Sequence, residues 1–187
     1  MLAVGFPPLV APGAHSLILG SIPGQTSLRR QRYYAHPRNA FWPIVRHVLG
    51  LPEIADHAAC HAALIGQGFA LWDVLAHCER PGSLDADIRA ASILPNDFPR
   101  FLSEHPDIQW VFFNGTAAQQ LWARHVQPTL PPDMAGLRQH RLPSTSPAHA
   151  GMTFDEKARQ WHDALGQARN DARQRAKSGH VPERKVP

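Results

Sequence analysis

Hydrophobic positions in this chain gather into four short runs, each about the length of a β-strand. They are His15-Ser-Leu-Ile-Leu-Gly-Ser21, Gly68-Phe-Ala-Leu-Trp-Asp-Val74, Ile108-Gln-Trp-Val-Phe-Phe-Asn-Gly115 and the weaker His140-Arg-Leu-Pro-Ser-Thr-Ser146. Each ends in small or polar residues, and no two-residue hairpin turn joins one run to the next. Helix-length stretches lie between and after them, at residues 40–49, 53–66, 84–93 with 98–104, 116–125 and 154–175. Alternating strands and helices predict an α/β fold whose strands are mainly parallel and joined by right-handed crossovers. In such sheets the ligand site lies beyond the carboxyl ends of the strands, so the polar run ends matter most.

The last helix has a possible cap at Thr153, and Trp161 and Leu165, four apart, give it one face to pack on the sheet. Beyond Ser178 the chain is polar and Pro-containing, and no internal repeat is evident. A length of 187 residues suits one domain. We expect a single body over residues 1–168 and a basic, partly disordered extension over 169–187.

Composition narrows the class. Hydrophobic residues make up 43% and charged residues 18%, with no apolar run near the ~20 residues a membrane helix needs. The start, MLAVGFPPLVAPGAH, lacks the basic region of a secretory signal, so a cytoplasmic protein without membrane contact is expected. Cys60 and Cys78 are too few for a disulfide framework or a four-thiolate cluster. The net charge of +4 sits in the tail: residues 169–187 hold six of 19 Lys+Arg, leaving 13 basic against 13 acidic residues before them. The pI therefore gives no argument that the body binds nucleic acid.

Candidate chemistry concentrates at the end of the first run. Gly20-Ser-Ile-Pro-Gly24 is a turn that lets backbone approach a ligand closely, and Tyr33-Tyr-Ala-His-Pro-Arg-Asn-Ala-Phe-Trp42 adds aromatics able to stack on a planar one. Asn39 also suits a plain helix cap before Phe41-Trp42. A second dense segment is Leu142-Pro-Ser-Thr-Ser-Pro-Ala-His149. His57 and His61 stand four apart on a predicted helix, but no third ligand has a matching spacing, so they are expected to be structural, with no metal and no cofactor. His36 is expected to brace the loop. The chain contains no P-loop, GxGxxG or GxSxG motif.

Taken together, GSIPG, YYAHPRNAFW and PSTS over residues 14–166 resemble the uracil-DNA glycosylase superfamily, closest to its hypoxanthine (deoxyinosine) branch. The resemblance implies a three-layer αβα fold around a four-stranded sheet, and a monofunctional DNA base-excision enzyme, monomeric, acting on DNA with a deaminated base. The chain departs from the superfamily at Ile22, where an Asp or Asn usually directs water, and at Leu142, in the place of the classical uracil enzymes' His. The hypoxanthine branch resembles this chain in using a replacement Asn, which falls at Asn39; Tyr34 aligns with the base-stacking aromatic.

An Asn amide is too weakly basic to deprotonate water, so Asn39 is expected to orient it while an oxocarbenium-like sugar develops. Backbone N–H groups of the turn Gly20, Ser21, Ile22, Pro23 and Gly24, among those residues that have one, are expected to stabilise the departing base. Reading hypoxanthine takes an acceptor for N1–H beside a donor for O6, which Asp73 and Asn114 at two strand ends can supply. Asp73 equally suits a loop-ordering role, since a carboxylate beside a departing anion is costly. Ser144 and Ser146 suit phosphate contacts, and Pro147, Ala148 and His149 suit the gap left by a flipped base. Two alternatives stay open: a mismatch-specific uracil or thymine glycosylase, and a catalytically silent DNA-binding relative.

Overall fold

Ser16–Gly20, five consecutive buried residues, form strand β2, and apolar character on both faces places it inside a sheet. In the computed structural model, which describes residues 1–53, 56–134 and 136–178, β2 lies between β3 (Phe69–Asp73) and β6 (Trp110–Asn114). β7 (Arg138–Leu142) completes the four-stranded sheet in the order β3-β2-β6-β7, all parallel. A second, antiparallel sheet of β1 (Leu2–Val4), β4 (Leu75–Glu79) and β5 (Leu94–Pro95) follows directly on β3.

Helices α1 (Gln25–Arg30), α2 (Phe41–Leu49), α3 (His57–Gly66), α4 (Phe98–Glu104), α5 (Thr116–Leu121) and α6 (Phe154–Ser178) fill the connections. Leu19, Trp72 and Phe113 lie side by side in the register. On their face Trp72 meets Phe98 and Phe101 of α4, and Phe113 meets Trp122. Alternate positions point the other way, where Trp110 Nε1 donates to Asp171 of α6 at 3.2 Å and Phe41 of α2 meets Trp161 of α6. Each such buried side chain contributes roughly 1.5–3 kcal/mol, so both faces of the sheet hold helices strongly and a three-layer αβα arrangement results.

Several boundaries differ from the pattern reading. The fourth strand is Arg138–Leu142 rather than 140–146, because Pro143 ends it and Ser144 begins a loop. Residues 84–93 form no helix, only two 3-10 turns, Asp85–Asp87 and Ala90–Ser92. Here the chain bonds to β4 instead, with Arg89 N–H donating to Glu79 O and Glu79 N–H to Ser92 Oγ. The stretch 116–125 is α5 followed by a π-helical turn, Trp122–Val126. Strands β1, β4 and β5 and helix α1 carry too little periodicity to be read. Helix α3 starts at His57 because Asp56 Oδ1 accepts from Ala59 N–H at 2.8 Å. Thr153 and Glu156 cap α6 reciprocally. Within the basic extension, residues 169–178 continue α6, where Arg169 donates to Gln67 and Asp171 pairs with Arg138; the disorder expected further on falls on 179–187, outside the described residues. Among the described residues no helix is long and apolar enough to cross a membrane.

Candidate active site

The last residues of the parallel strands set the floor of the site. Gly20 pairs with Asp73 and Asn114 with Leu142, so Asp73, Gly20, Asn114 and Leu142 cross the carboxyl edge of the sheet in one row. A Cβ on Gly20 would run into the Asp73 carboxylate and stand 2.8 Å from the Tyr34 hydroxyl. Glycine is needed there to admit both functional groups at such close range.

Above this row the turn Ser21–Gly24 lies along one wall. The backbone anchors it, with Val74 N–H on Gly20 O and Leu75 N–H on Ser21 O. The segment after α1 forms the opposite wall. Tyr34 adopts a left-handed backbone, φ +52°, uncommon for a non-glycine residue, and its ring stacks on Phe41 at 4.0 Å and 18°. Trp42 Nε1 donates to Tyr33 O and Ala35 N–H to Ser27 Oγ, which pins the strained stretch on both sides. His36 does brace this loop: Nδ1 accepts from Arg38 N–H and its carbonyl from Asn39 N–H. Asn39 Oδ1 accepts from Phe41 N–H at 2.9 Å, the capping bond that the sequence allowed, and the residue is among those lining the cleft. Capping and pocket lining coexist, since a carbonyl oxygen has a second lone pair.

The loop 143–149 closes the third side. Asn114 is bonded at both ends of its amide to Thr145, donating from Nδ2 to Oγ1 at 2.8 Å and accepting from N–H at 2.9 Å. Its first duty is therefore to hold the loop to β6, and its side chain also acts on the Tyr34 hydroxyl. Thr145 O accepts from Ala40 N–H, which joins the two candidate motifs directly. Ser144 Oγ and Ser146 Oγ accept from backbone N–H groups two residues on and keep their own hydrogens to donate.

These walls enclose a cleft of about 440 Å³ lined by Gly20, Ser21, Ile22, Pro23, Gly24, Tyr34, Asn39, Asp73, Asn114, Ser144, Ser146, Pro147 and Ala148. His149 is the one predicted site residue set apart, lining the adjoining groove, with its carbonyl accepting from Lys157 Nζ. Ile22 touches the cleft yet packs into the hydrophobic core. His57 and His61 pack on Trp42, away from the cleft.

Electrostatically the floor is unusual. Asp73 is 3% exposed, and its Oδ2 meets no hydrogen-bond partner among the described residues. Burial, reinforced by the charge of Asp85, pushes its carboxyl up to about 8, partly opposed by Arg80. Burial also raises the hydroxyls of Tyr33 and Tyr34, which Asp73 raises further. Asp85 is raised by burial too, against a hydrogen bond from Ser21 and the charge of Arg80.

The sequence reading missed Ser83, Arg80, Asp85 and Thr145. Ser83 Oγ accepts from Gln25 N–H, and Arg80 and Asp85 reach the same turn. Thr145 lies inside the Pro143-Ser-Thr-Ser146 motif; the other three sit after a strand that no periodicity signals.

Comparison with known proteins agrees with this arrangement. A family model described as the uracil DNA glycosylase superfamily matches residues 7–165. A hypoxanthine DNA glycosylase of Methanosarcina barkeri (strain Fusaro) is 35% identical over 112 residues, which is 59% of this chain and 70% of that protein. A hypoxanthine DNA glycosylase of Methanosarcina acetivorans is 36% identical over 120 residues, 63% of this chain and 74% of that one. The solution NMR structure of a candidate uracil DNA glycosylase from Methanosarcina acetivorans superposes with a TM-score of 0.73 at 28% identity, covering 90% of this chain and 99% of that one.

Proposed function

This chain belongs to the uracil DNA glycosylase superfamily, in its hypoxanthine branch, and is a DNA N-glycosylase; on that footing we propose that it excises hypoxanthine from deoxyinosine in DNA. The observation that carries the proposal is the convergence of Asn39, Tyr34, Asp73 and the Ser21–Gly24 turn on one cleft at the sheet's carboxyl edge.

The glycosidic carbon is hidden in a duplex, so the nucleotide is flipped into the cleft at a cost of a few kcal/mol of unstacking. Tyr34, backed by Phe41, offers a ring for the base to stack on. The base's lactam edge, N1–H beside C6=O, faces Asp73. Because that buried carboxyl keeps its proton at neutral pH, it offers one acceptor and one donor and adds no negative charge where the base departs. The cost attached to a carboxylate at this position disappears when the group is neutral.

As the C1′–N9 bond breaks, its electron pair leaves with the purine. N–H groups of Ser21, Ile22 and Gly24 are the donors the turn can offer to that charge; Pro23 has none. Asn39, fixed by Phe41 N–H, uses its second lone pair to hold a water whose oxygen bonds to C1′. The water's proton passes to the leaving base or to solvent, with no base catalysis by Asn39. Ser144 and Ser146 donate to phosphates beside the flipped nucleotide, and Pro147 and Ala148 stand at the gap it leaves.

Duplexes containing deoxyinosine, deoxyuridine or a G·T pair, incubated with the protein and then cleaved with alkali, test the substrate. The proposal expects strand scission with deoxyinosine foremost; scission only at deoxyuridine or G·T would assign the chain to a mismatch-specific activity instead.

A further inference from the structure

Arg80 is 1% exposed and has no part in the chemistry described above. It follows β4 on the small antiparallel sheet and turns its guanidinium back to the loop after β2. Nη2 donates to Pro23 O at 2.7 Å and Nη1 to Ser83 O at 3.4 Å, while Nη1 stands 3.5 Å from Asp85 Oδ1. Asp85 accepts from Ser21 Oγ at 2.7 Å, and Ser83 Oγ accepts from Gln25 N–H at 2.9 Å. Two residues within the Ser21–Gly24 turn and one directly after it are thereby tied to one short strap, 80–85.

An ion pair with one partner buried and the other partly exposed adds little stability, since desolvation of the buried Arg80 offsets the attraction. A planar guanidinium with fixed N–H directions is, however, well suited to setting positions, more so than a flexible ammonium. The turn it holds offers only backbone groups to a ligand, and backbone groups act catalytically only where they stand at the right distance from developing charge. Sequence motifs do not specify that distance; the strap does.

We propose that Arg80 and Asp85 are positioning residues of the glycosylase site, whose ion pair fixes the Ser21–Gly24 turn over the departing base. The inference rests on the glycosylase reading of the cleft. The same pair also acts on Asp73 with opposite charges, and Asp73 in turn acts on Tyr33 and Tyr34. Removing Asp85's charge releases Asp73's proton more readily, and removing Arg80's charge holds it more tightly. These opposed effects follow from the signs of the two charges; the positioning role itself is read from a loss of rate at nearly unchanged binding.

The test compares wild type with Asp85→Asn, Arg80→Met and Arg80→Lys in single-turnover excision from a deoxyinosine duplex between pH 6 and 10, with thermal melting to check folding. A turn misplaced by about 1 Å costs on the order of a hundredfold in rate. The expected result is a rate loss of about tenfold in Asp85→Asn and about a hundredfold in Arg80→Met, with the duplex concentration for half-saturation changed less than threefold. Arg80→Lys should recover part of the loss. The alkaline limb of the profile should move to lower pH in Asp85→Asn and to higher pH in Arg80→Met. If Arg80→Met does not fold, Asp85→Asn decides alone, because Asn can still accept from Ser21 at this partly exposed position. Variants with wild-type rates, or a loss confined to duplex binding, would overturn the positioning role. Absence of excision by the wild-type protein would instead overturn the underlying assignment.

Discussion

Replacing Asp73 by Asn should stabilise the protein at neutral pH. In the folded chain the carboxyl holds its proton up to about 8, against an ordinary value of 3.8. Between those two values the folded state binds one more proton at this site than the unfolded state. Stability attributable to Asp73 therefore falls as pH rises, by about 1.4 kcal/mol per unit, and is flat below 3.8 and above about 8. At pH 7 the window already crossed spans about three units, a penalty of about 4 kcal/mol as an upper bound. Asparagine is nearly the same shape and never titrates, so it removes the penalty, less a unit or two of kcal/mol for an amide that finds only part of its hydrogen bonding beside Gly20 and Tyr34. Urea unfolding of both proteins at pH 5, 6, 7, 8 and 9 measures the difference. It should favour the variant increasingly from pH 5 to 8 and then level off. A difference independent of pH would mean that Asp73 is ionised in the folded protein, and the neutral donor proposed for base recognition would be gone.

Three further outcomes follow from the same geometry. Gly20→Ala places a methyl against Asp73 and within 2.8 Å of the Tyr34 hydroxyl, so both must shift; kcat/KM for deoxyinosine excision should fall by about a hundredfold while circular dichroism stays native. Wild-type excision should decline as pH rises through about 8, where Asp73 ionises and sets charge against the departing base; an Asp73→Asn variant should show no such limb in the same series. Asn114→Ala removes both bonds to Thr145 and leaves its N–H unpaired, which should lower stability by about 1–3 kcal/mol in denaturant titrations and weaken duplex binding through a loosened 143–149 loop.

Much of this was legible in the sequence because it is written in short range. Three of the four parallel strands are continuous apolar runs ending in Gly, Asp or Asn, and those end residues form the floor of the cleft. The aromatic segment around Tyr34 and Asn39 announced itself by composition. What escaped notice lies where structure comes from pairing rather than pattern. Strand β4, Leu-Ala-His-Cys-Glu, has no consistent alternation and exists because β1 and β5 flank it. Residues 84–93 look helical by spacing, yet bonds to β4 and to the Ser21–Gly24 turn hold them as separate 3-10 turns. Arg80 and Asp85 were invisible for the same reason: the backbone carbonyl that Arg80 meets and the serine hydroxyl that Asp85 meets are each more than fifty residues away. Asn114 was read as a base contact from its strand-end position, and nothing local reveals that both ends of its amide meet Thr145.

The resemblance puts Ile22 where the superfamily usually has its water-directing residue, and the proposed mechanism rests on Asn39 taking that role from a different segment. The most direct test is alkali-revealed excision from a deoxyinosine duplex under single-turnover conditions, comparing wild type with Asn39→Ala. Wild type should cut, and Asn39→Ala should be slower by a hundredfold or more, while binding the duplex as tightly and melting within a few degrees of wild type. Equal rates in the two proteins would contradict the account.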